Sequence, residues 1–323
     1  MLADLFYEFN LNDSDYSKLQ RVKKNIFLNN LKSTCSDKYK RYQKSPLRYP
    51  GGKSLAVGLI IEHFPNDIKR LISPFIGGGS VEIATAMELE IPVLGFDIFD
   101  ILINFWNIAI NNNDTLIDAL QKLEPNKSIY KDIKLELSKH FKQQEKLDPI
   151  TLARDYFFNF NLSYGPGFLG WMSSIYECEK KYQSSLNKLK KIKNINLQVY
   201  CSSFEKVIPE FNDDFLYLDP PYFLDGNSKM FKGIYPQRNF PIHHNGFNHE
   251  LLSKLLKAHK GGFILSYNDC DWVRNTYKEY EILEPSWQYT MGQGETRIGK
   301  NRLCRDEVSN IKKSHELLII KEK

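Results

Sequence analysis

The amino-acid sequence predicts an α/β fold in which seven strands form one doubly wound sheet. Short apolar runs alternate with helical segments along most of the 323 residues, which is the pattern of consecutive βα units. One run, Phe-Leu-Tyr-Leu-Asp at 215–219, is apolar without alternation, as expected for a strand buried on both faces of a sheet. Turns rich in glycine or proline follow two of the runs, at 76–79 and 220–221.

The strands and helices of this fold can be placed in chain order. Seven strands are predicted at 70–75, 92–97, 196–201, 215–219, 262–267, 280–285 and 316–320. Helices are predicted at 19–31, 80–90, 100–111, 128–145, 149–160 and 248–259. Residues 113–195 contain no clear strand, so we expect a mostly helical insert there. The expected organisation is an N-terminal extension at 1–44, a main domain formed by 45–112 plus 196–323, and the insert at 113–195.

The bulk composition is that of an ordinary globular protein, with 42% hydrophobic and 26% charged residues. No apolar run approaches the length of a membrane span, and the acidic N-terminus lacks the pattern of a secretory signal. The five cysteines are scattered, and none forms a C-x-x-C pair. These features predict reduced thiols in the cytoplasm, no membrane partner and no structural zinc site.

The positive charges are concentrated in three parts of the chain. The net charge is only +5, but lysine and arginine cluster at 18–44, 180–193 and 297–313. A local surplus of this kind is expected on a protein that binds a polyanion. Each run taken alone also fits a solvated helix face, so it is the three together that favour a nucleic acid as partner.

A carboxylate, two prolines and a tyrosine end the strand predicted at 215–219. Pro220 and Pro221 cannot continue a strand, so Asp219 should lie at the carboxyl edge of the sheet, where open α/β sheets bind their ligands. The prolines hold backbone carbonyls away from sheet pairing, and Tyr222 adds a flat ring. This group could accept two hydrogen bonds from a planar amine and stack the ring that carries it. The alternative is a proline turn that follows an incidental aspartate.

A glycine loop follows the first strand of the sheet. Gly77 and Gly79 allow the backbone to approach a ligand closely at the start of a helix. Asp97 ends the next strand, where an acid can bind ribose hydroxyls. The dinucleotide fingerprint would require glycine at position 82, which is Glu82. The loop therefore suits an adenosine-bearing cofactor without requiring a pyrophosphate.

A second glycine turn, at 51–54, looks like a nucleotide-binding P-loop but lacks its spacing. A P-loop requires glycine five residues before the Gly-Lys pair, and Leu47 occupies that position. No apolar strand precedes the turn either. The spacing excludes hydrolysis of ATP or GTP and leaves a tight turn that presents Lys53.

Three motifs in this order resemble those of one enzyme family. Arg-Tyr-Pro-Gly-Gly-Lys at 48–53, Pro-Phe-Ile-Gly-Gly-Gly at 74–79 and Asp-Pro-Pro-Tyr at 219–222 are similar to those of the Dam-like (alpha-group, D12 class) N6-adenine-specific DNA methyltransferases. The resemblance covers 45–112 and 196–323, is weak over the insert and is absent over 1–44. It implies a Rossmann-like, seven-stranded S-adenosylmethionine-dependent methyltransferase fold in which residues 113–195 are a target-recognition insert.

The resemblance also implies the reaction. A methyl group would pass from S-adenosyl-L-methionine to the N6 amine of an adenine flipped out of double-stranded DNA, in the setting of a restriction–modification system. A cognate restriction endonuclease would act separately. The alternatives left open are other planar amines, namely cytosine, RNA adenine or a protein amide, and a binding protein without activity.

The resemblance assigns roles residue by residue. The catalytic residues implied are Asp219, Pro220, through its carbonyl, and Tyr222. The residues implied to bind the cofactor are Tyr49, Gly51, Lys53, Phe75, Gly77, Gly79, Asp97, Ser203, Phe204 and Asp219. One departure concerns Ser73, because the family often has an acid two residues before the phenylalanine of the loop. A lost carboxylate there would weaken cofactor binding.

The insert is expected to read the DNA sequence. The polar residues Asn161, Ser163 and Tyr164 of its aromatic-rich segment are the candidates for DNA contact, and Lys188, Lys190 and Lys191 are candidates for phosphate contact. The large aromatic residues of the same segment, Phe157, Phe160 and Trp171, are expected in the core of the insert.

No metal is expected in the site. The spacing of His243, His244 and His249 fits no standard metal site, and the chemistry requires none. We expect these histidines in a loop after the catalytic motif that folds over the flipped base.

Overall fold

The computed structural model describes residues 13–33, 36–49, 51–164, 167–172, 174, 177–223, 246–285 and 316–322. For residues 36–38 and Tyr164 it describes the backbone alone. Two features predicted from the sequence lie outside the described residues: most of the loop after the catalytic motif, with His243 and His244, and the basic cluster at 297–313. Within the described residues, no helix combines the length and the apolar character needed to cross a membrane.

The chain alternates helices and strands. The strands are β1 (Lys32–Ser33), β2 (Ser36–Tyr39), β3 (Leu71–Ser73), β4 (Val93–Asp97), β5 (Ser163–Tyr164), β6 (Trp171–Met172), β7 (Leu197–Cys201), β8 (Phe215–Leu218), β9 (Phe263–Asn268), β10 (Glu281–Leu283) and β11 (Glu316–Lys321). The helices are α1 (Asp13–Leu31), α2 (Val57–Glu62), α3 (Ser80–Glu88), α4 (Asp100–Asn111), α5 (Asn113–Gln121), α6 (Lys127–Phe141), α7 (Pro149–Leu162), α8 (Glu179–Leu189), α9 (Phe204–Glu210), α10 (His249–Ala258) and α11 (Asp271–Thr276).

Seven of the strands form one sheet, in the order β10-β11-β9-β8-β3-β4-β7. All seven predicted strands are therefore confirmed, and the fold is the α/β architecture that the sequence predicts. The strand β11 runs antiparallel to both of its neighbours, whereas the other neighbouring pairs are parallel. The chain moves from β3 outward to β4 and β7, then returns to β8 on the other side of β3. Such a reversal of strand order opens a crevice at the carboxyl ends of the two central strands.

Both faces of the sheet are covered. Along β8, Phe215 and Tyr217 join one cluster of buried side chains, whereas Leu216 and Leu218 join a second cluster. Since successive side chains of a strand point to opposite faces, the two clusters lie on the two sides of the sheet. This explains why the strand is apolar without alternation.

The helices of residues 113–195 pack on one of these clusters. The ring of Phe157 on α7 stacks on Phe105 of α4 with centroids 5.8 Å apart. Phe157 and Phe160 are buried, as predicted. No clear strand is predicted in this segment, and its strands in the structure are the two-residue β5 and β6, which pair antiparallel; strands this short leave no periodic pattern. The expectation of a buried Trp171 is wrong, since this residue on β6 is 79% exposed.

A glycine in β4 allows the glycine loop to pack against the sheet. A Cβ atom at Gly95 would lie 2.6 Å from the Cδ1 atom of Ile76, the residue that precedes Gly77. We expect Gly95→Val to displace this loop and to lower the free energy of unfolding by about 1–3 kcal/mol, because the added methyl groups overpack the site. Urea denaturation monitored by circular dichroism measures the change.

A double-mutant cycle controls for other effects of the valine. In an Ile76→Ala background the clashing side chain is gone, so Gly95→Val should cost clearly less. An equal cost in both backgrounds would contradict the proposed clash.

Candidate active site

A buried ion pair lies at the carboxyl edge of the sheet. Asp219 follows β8 directly, and Lys53 comes from the glycine turn before α2. The Nζ atom of Lys53 lies 2.6 and 2.7 Å from the two carboxylate oxygens of Asp219 and donates a further hydrogen bond to the carbonyl of Gly51 at 2.9 Å. Gly51 has a φ of +70°, which favours glycine in this turn. The turn that resembled a P-loop thus delivers its lysine to the aspartate.

A second carboxyl group lies on the other side of the ammonium. The Oε1 atom of Glu316 is 3.7 Å from the Nζ atom of Lys53. Burial raises the pKa of Glu316 to about 8, although Lys53 opposes the shift. Sequence reasoning missed Glu316; the available signal was a charged residue at the start of the apolar run Glu-Leu-Leu-Ile-Ile.

Asp219 is the member of this group that remains accessible. Its side chain is 23% exposed, whereas those of Lys53 and Glu316 are each 3% exposed. Burial raises the pKa of Asp219, and the ammonium of Lys53 acts against this by favouring the charged carboxylate. The site therefore presents a partly exposed carboxylate acceptor that forms an ion pair with a buried ammonium.

Tyr222 lies beside the same ammonium. The Nζ atom of Lys53 is 5.2 Å from the centre of the Tyr222 ring, within the range of a cation–π contact. The ring is 5% exposed and stacks near Tyr267 with centroids 6.3 Å apart. Behind it, Asn268 at the end of β9 donates from Nδ2 to the Phe223 carbonyl at 2.9 Å. These contacts fix the Asp-Pro-Pro-Tyr segment, including the buried Pro220, against the sheet.

The glycine loop lies between Tyr49 and Asp97. Gly77 and Gly79 have φ values of +44° and +63°, and a Cβ atom at Gly77 would be 2.9 Å from the Tyr49 ring. The backbone N–H of Gly77 donates to Asp97 Oδ2 at 3.4 Å, while Trp106 Nε1 donates to the Gly77 carbonyl at 3.0 Å. The structure thus brings Tyr49, Gly77, Gly79 and Asp97 together.

Three phenylalanine rings form an apolar wall near the same edge. The ring of Phe75 packs on Phe204 with centroids 5.6 Å apart, and Phe204 packs on Phe247 at 5.1 Å. Ser203 begins α9, where its Oγ atom accepts a hydrogen bond from the Glu205 N–H at 3.4 Å. Phe75, Ser203 and Phe204 are therefore also close to one another.

Ser73, at the end of β3, contacts a buried glutamate. The Oγ atom of Ser73 donates to Glu82 Oε1 at 2.6 Å, and Glu82 is 2% exposed. Burial raises the pKa of Glu82 to about 7; the Ser73 hydrogen bond opposes the shift, and the charge of Asp219 adds to it. Sequence reasoning used Glu82 only to exclude a dinucleotide site. The missed signal was an acid in the first turn of the apolar helix α3.

The predicted DNA contacts are divided between the interior and the surface. Asn161 and Ser163 are buried. Their backbone carbonyls accept from the guanidinium of Arg48 at 2.8 and 3.5 Å. Lys190 and Lys191 are exposed, whereas Lys188 is half-buried. Burial lowers the pKa of Lys188, and the nearby charge of Arg41 lowers it further.

Since the charge of Arg41 acts on Lys188, two basic clusters that are distant in sequence come near each other in the fold. The described residues contain no group of three histidine, cysteine or acidic side chains that could hold a metal ion.

The chain is similar to known DNA methyltransferases. Residues 49–291 match the family model of the D12 class N6 adenine-specific DNA methyltransferases. The type II methyltransferase M.MjaIII of Methanocaldococcus jannaschii is 27% identical over 211 residues, which are 54% of this chain and 68% of that protein. A DNA adenine methylase of Vibrio cholerae, found in two strains, is 25% identical over 250 residues, which are 74% of this chain and 87% of that protein.

The buried carboxyl of Glu82 should make stability depend on pH. Its folded-state pKa, about 7, lies above the ordinary glutamate pKa of 4.5, so the folded state binds more protons and stability falls as pH rises between these values. Glu82→Gln removes this cost while keeping an acceptor for Ser73. We expect the variant to gain stability relative to wild type from pH 5 to pH 8, by on the order of 3 kcal/mol at most.

Urea denaturation at pH 5, 6, 7 and 8 measures this difference. Glu88→Gln, at the other end of α3, is the control and should show a much smaller change with pH. Parallel stability curves for wild type and Glu82→Gln would contradict the assignment.

Proposed function

The chain belongs to the D12 class N6 adenine-specific DNA methyltransferases and is therefore a DNA adenine N6-methyltransferase; we propose that it takes the methyl group from S-adenosyl-L-methionine and places it on an adenine flipped out of duplex DNA. The observation that carries the mechanism is the accessible carboxylate of Asp219, held by Lys53 at the carboxyl edge of the sheet.

The residues around the glycine loop fit S-adenosylmethionine. A cradle of backbone without side chains lies at the start of α3, beside the Asp97 carboxylate that would hold ribose hydroxyls. Phe204 and its neighbouring rings offer an apolar surface for the adenine ring, and Tyr49, Gly51 and Phe75 would complete the pocket. When bound, S-adenosylmethionine supplies an electrophilic methyl group whose bond to sulfur breaks as the amine nitrogen attacks, the bonding electrons remaining on sulfur.

The protein's part in the reaction is to prepare the amine. The exocyclic nitrogen of adenine is a weak nucleophile, because its lone pair is conjugated with the ring. Hydrogen bonds from this nitrogen to Asp219 and to the Pro220 carbonyl would localise the lone pair, and they act before any bond forms. After transfer the nitrogen carries an extra proton, which Asp219 is placed to accept and pass to solvent.

In the structure, Lys53 occupies the two groups that we propose for the target base, the Asp219 carboxylate and the Tyr222 ring. Its ammonium donates to both oxygens of Asp219 and lies over the Tyr222 ring. An adenine would have to take at least one oxygen and the face of that ring. Flipping the base costs a few kcal/mol, and stacking on Tyr222 would return about 1–3 kcal/mol.

The DNA would lie across the insert. Lys190 and Lys191, exposed after α8, and the basic pair Arg41 and Lys188 suit phosphate contacts, which position a protein without reading sequence. Trp171 exposes its ring on the β5–β6 pair, directly after the segment that holds Asn161, Ser163 and Tyr164. Because Asn161 and Ser163 are buried, the exposed ring of Trp171 is our candidate for reading the bases.

The biological setting is part of the proposal. M.MjaIII is a type II methyltransferase, which favours a restriction–modification system with a separate endonuclease. An enzyme that acts on DNA belongs in the compartment that holds the DNA, so we place it in the cytoplasm.

Replacing the acceptor carboxylate tests the mechanism. We expect Asp219→Asn to reduce methyl transfer to unmethylated duplex DNA by at least about 100-fold, because the developing positive charge on the amine loses its carboxylate. Binding of S-adenosylmethionine, measured by calorimetry, should change little. Transfer is measured from labelled S-adenosylmethionine, with the modified bases identified by mass spectrometry.

The control is Asp214→Asn. Asp214 lies just before β8, and its carboxylate pairs with Arg70. The variant should retain methyl transfer. Near-normal turnover by Asp219→Asn would overturn the assignment, and methylation of RNA or protein but not of DNA would overturn the substrate.

Two surface variants separate base reading from phosphate contact. We expect Trp171→Ala to weaken binding to the DNA sequence that the enzyme methylates by roughly 1–3 kcal/mol, the usual value of one stacking contact. The double variant Lys190→Gln with Lys191→Gln should weaken all DNA equally and flatten the dependence of affinity on salt, because fewer counterions are released. Fluorescence anisotropy with specific and unrelated duplexes at several salt concentrations measures both effects. Equal loss for both duplexes in Trp171→Ala would contradict its role in reading sequence.

A further inference from the structure

The reversed strand β11 brings a carboxyl group to the edge where the parallel strands end. Because β11 runs against its neighbours, its first residue lies beside their last residues: Glu316 pairs with Asn268, the end of β9. Glu316 is 3% exposed, and the next four residues of the strand are apolar and buried. A buried ionisable group is unfavourable for stability alone, so its presence at this position calls for a function.

The ammonium of Lys53 lies between this carboxyl group and Asp219. Its Nζ atom lies 2.6 and 2.7 Å from the Asp219 oxygens but 3.7 Å from Glu316 Oε1. The distances are unequal, so the lysine is bound to Asp219 and has Glu316 within a small movement. Because both oxygens of Asp219 accept from the same ammonium at this range, a target amine would compete with Lys53 for them.

We propose that Glu316 is a positioning residue that serves as a second counterion for Lys53, drawing the ammonium away from Asp219 so that the carboxylate can accept from the target amine. This inference rests on the proposed function, because it assigns a role within the same reaction. A movement of about 1 Å would bring Nζ within hydrogen-bond distance of Glu316.

The lysine needs such a partner because its charge is buried. An ammonium that left Asp219 without another carboxylate would be an unpaired buried charge, which is strongly unfavourable. With Glu316 present, the movement replaces the ion pair of Lys53 with Asp219 by one with Glu316. The cost of freeing Asp219 therefore falls, and the target amine competes more easily for its oxygens.

Glu316 must be ionised to act in this way. The charged groups that act on it are Lys53, from the turn before α2, and Asp219, at the end of β8; Glu82 on α3 acts in turn on Asp219. Asn268, opposite on β9, and the Tyr222 ring are uncharged. Burial raises the pKa of Glu316 to about 8, so the rate of methyl transfer should rise with pH through this region as the carboxylate forms.

The test is the isosteric variant Glu316→Gln in the full-length protein. Single-turnover methylation of unmethylated, PCR-amplified genomic DNA is measured from pH 6 to pH 9 at saturating S-adenosylmethionine. We expect the rate to fall roughly tenfold or more at pH 8, a loss confined to the chemical step. The rise with pH near 8 should disappear, while the dissociation constants for cofactor and DNA stay within about twofold.

Two further measurements make the outcome decisive. Glu281→Gln removes an exposed carboxylate from the neighbouring strand β10 and should keep the wild-type rate and pH profile. A double-mutant cycle of Lys53→Met and Glu316→Gln on the free energy of unfolding should show coupling between the two residues.

Three results would be negative, and they differ. A wild-type rate and pH profile in Glu316→Gln would overturn the inference and leave the proposed function intact, as would a double-mutant cycle without coupling. No methyl transfer to DNA by the wild-type protein would overturn the proposed function itself.

Discussion

The ion pair between Lys53 and Asp219 is the interaction on which the rest of the site depends. It joins two segments 166 residues apart in the sequence, one from a glycine turn and one from the end of a central strand. Taking both charges out of water is costly, and only close geometry with further hydrogen bonds offsets the cost. The Gly51 carbonyl supplies one such bond. The pair thus fixes the distance between the turn and the Asp-Pro-Pro-Tyr segment, and Lys53 opposes the rise that burial causes in the pKa of Asp219.

The sheet explains why these groups meet. Parallel strands end at one edge, so Ser73, Asp97 and Asp219 reach the same side of the molecule from three different βα units. The reversed strand β11 contributes its beginning instead of its end, and Glu316 enters the site from that direction. If β11 ran parallel to the other six strands, its first residue, Glu316, would lie at the opposite edge of the sheet.

The sequence predicted the strands well because their cause is local. The burial of continuous apolar runs such as 215–219 and 316–320 can be predicted from their own composition, and glycine and proline turns indicate where such strands end. It did not predict Glu316 or Glu82 as site residues, since their roles depend on which distant residues the fold places beside them. Trp171 was misassigned for a similar reason: an aromatic-rich segment suggests a core, but a two-residue strand turns one ring outward.

The hydrogen bond between Ser73 and Glu82 places a buried carboxyl group at the end of β3. Ser73 on β3 has no carboxyl group, yet its hydroxyl donates to the buried carboxyl of Glu82 on the following helix. The first turn of a helix favours an acid, because its backbone N–H groups and dipole stabilise negative charge. Glu82 therefore brings its carboxyl group to the end of β3 from the helix that follows the glycine loop. The charge of Asp219 also raises the pKa of this group, so the helix after the glycine loop and the end of β8 are electrostatically coupled.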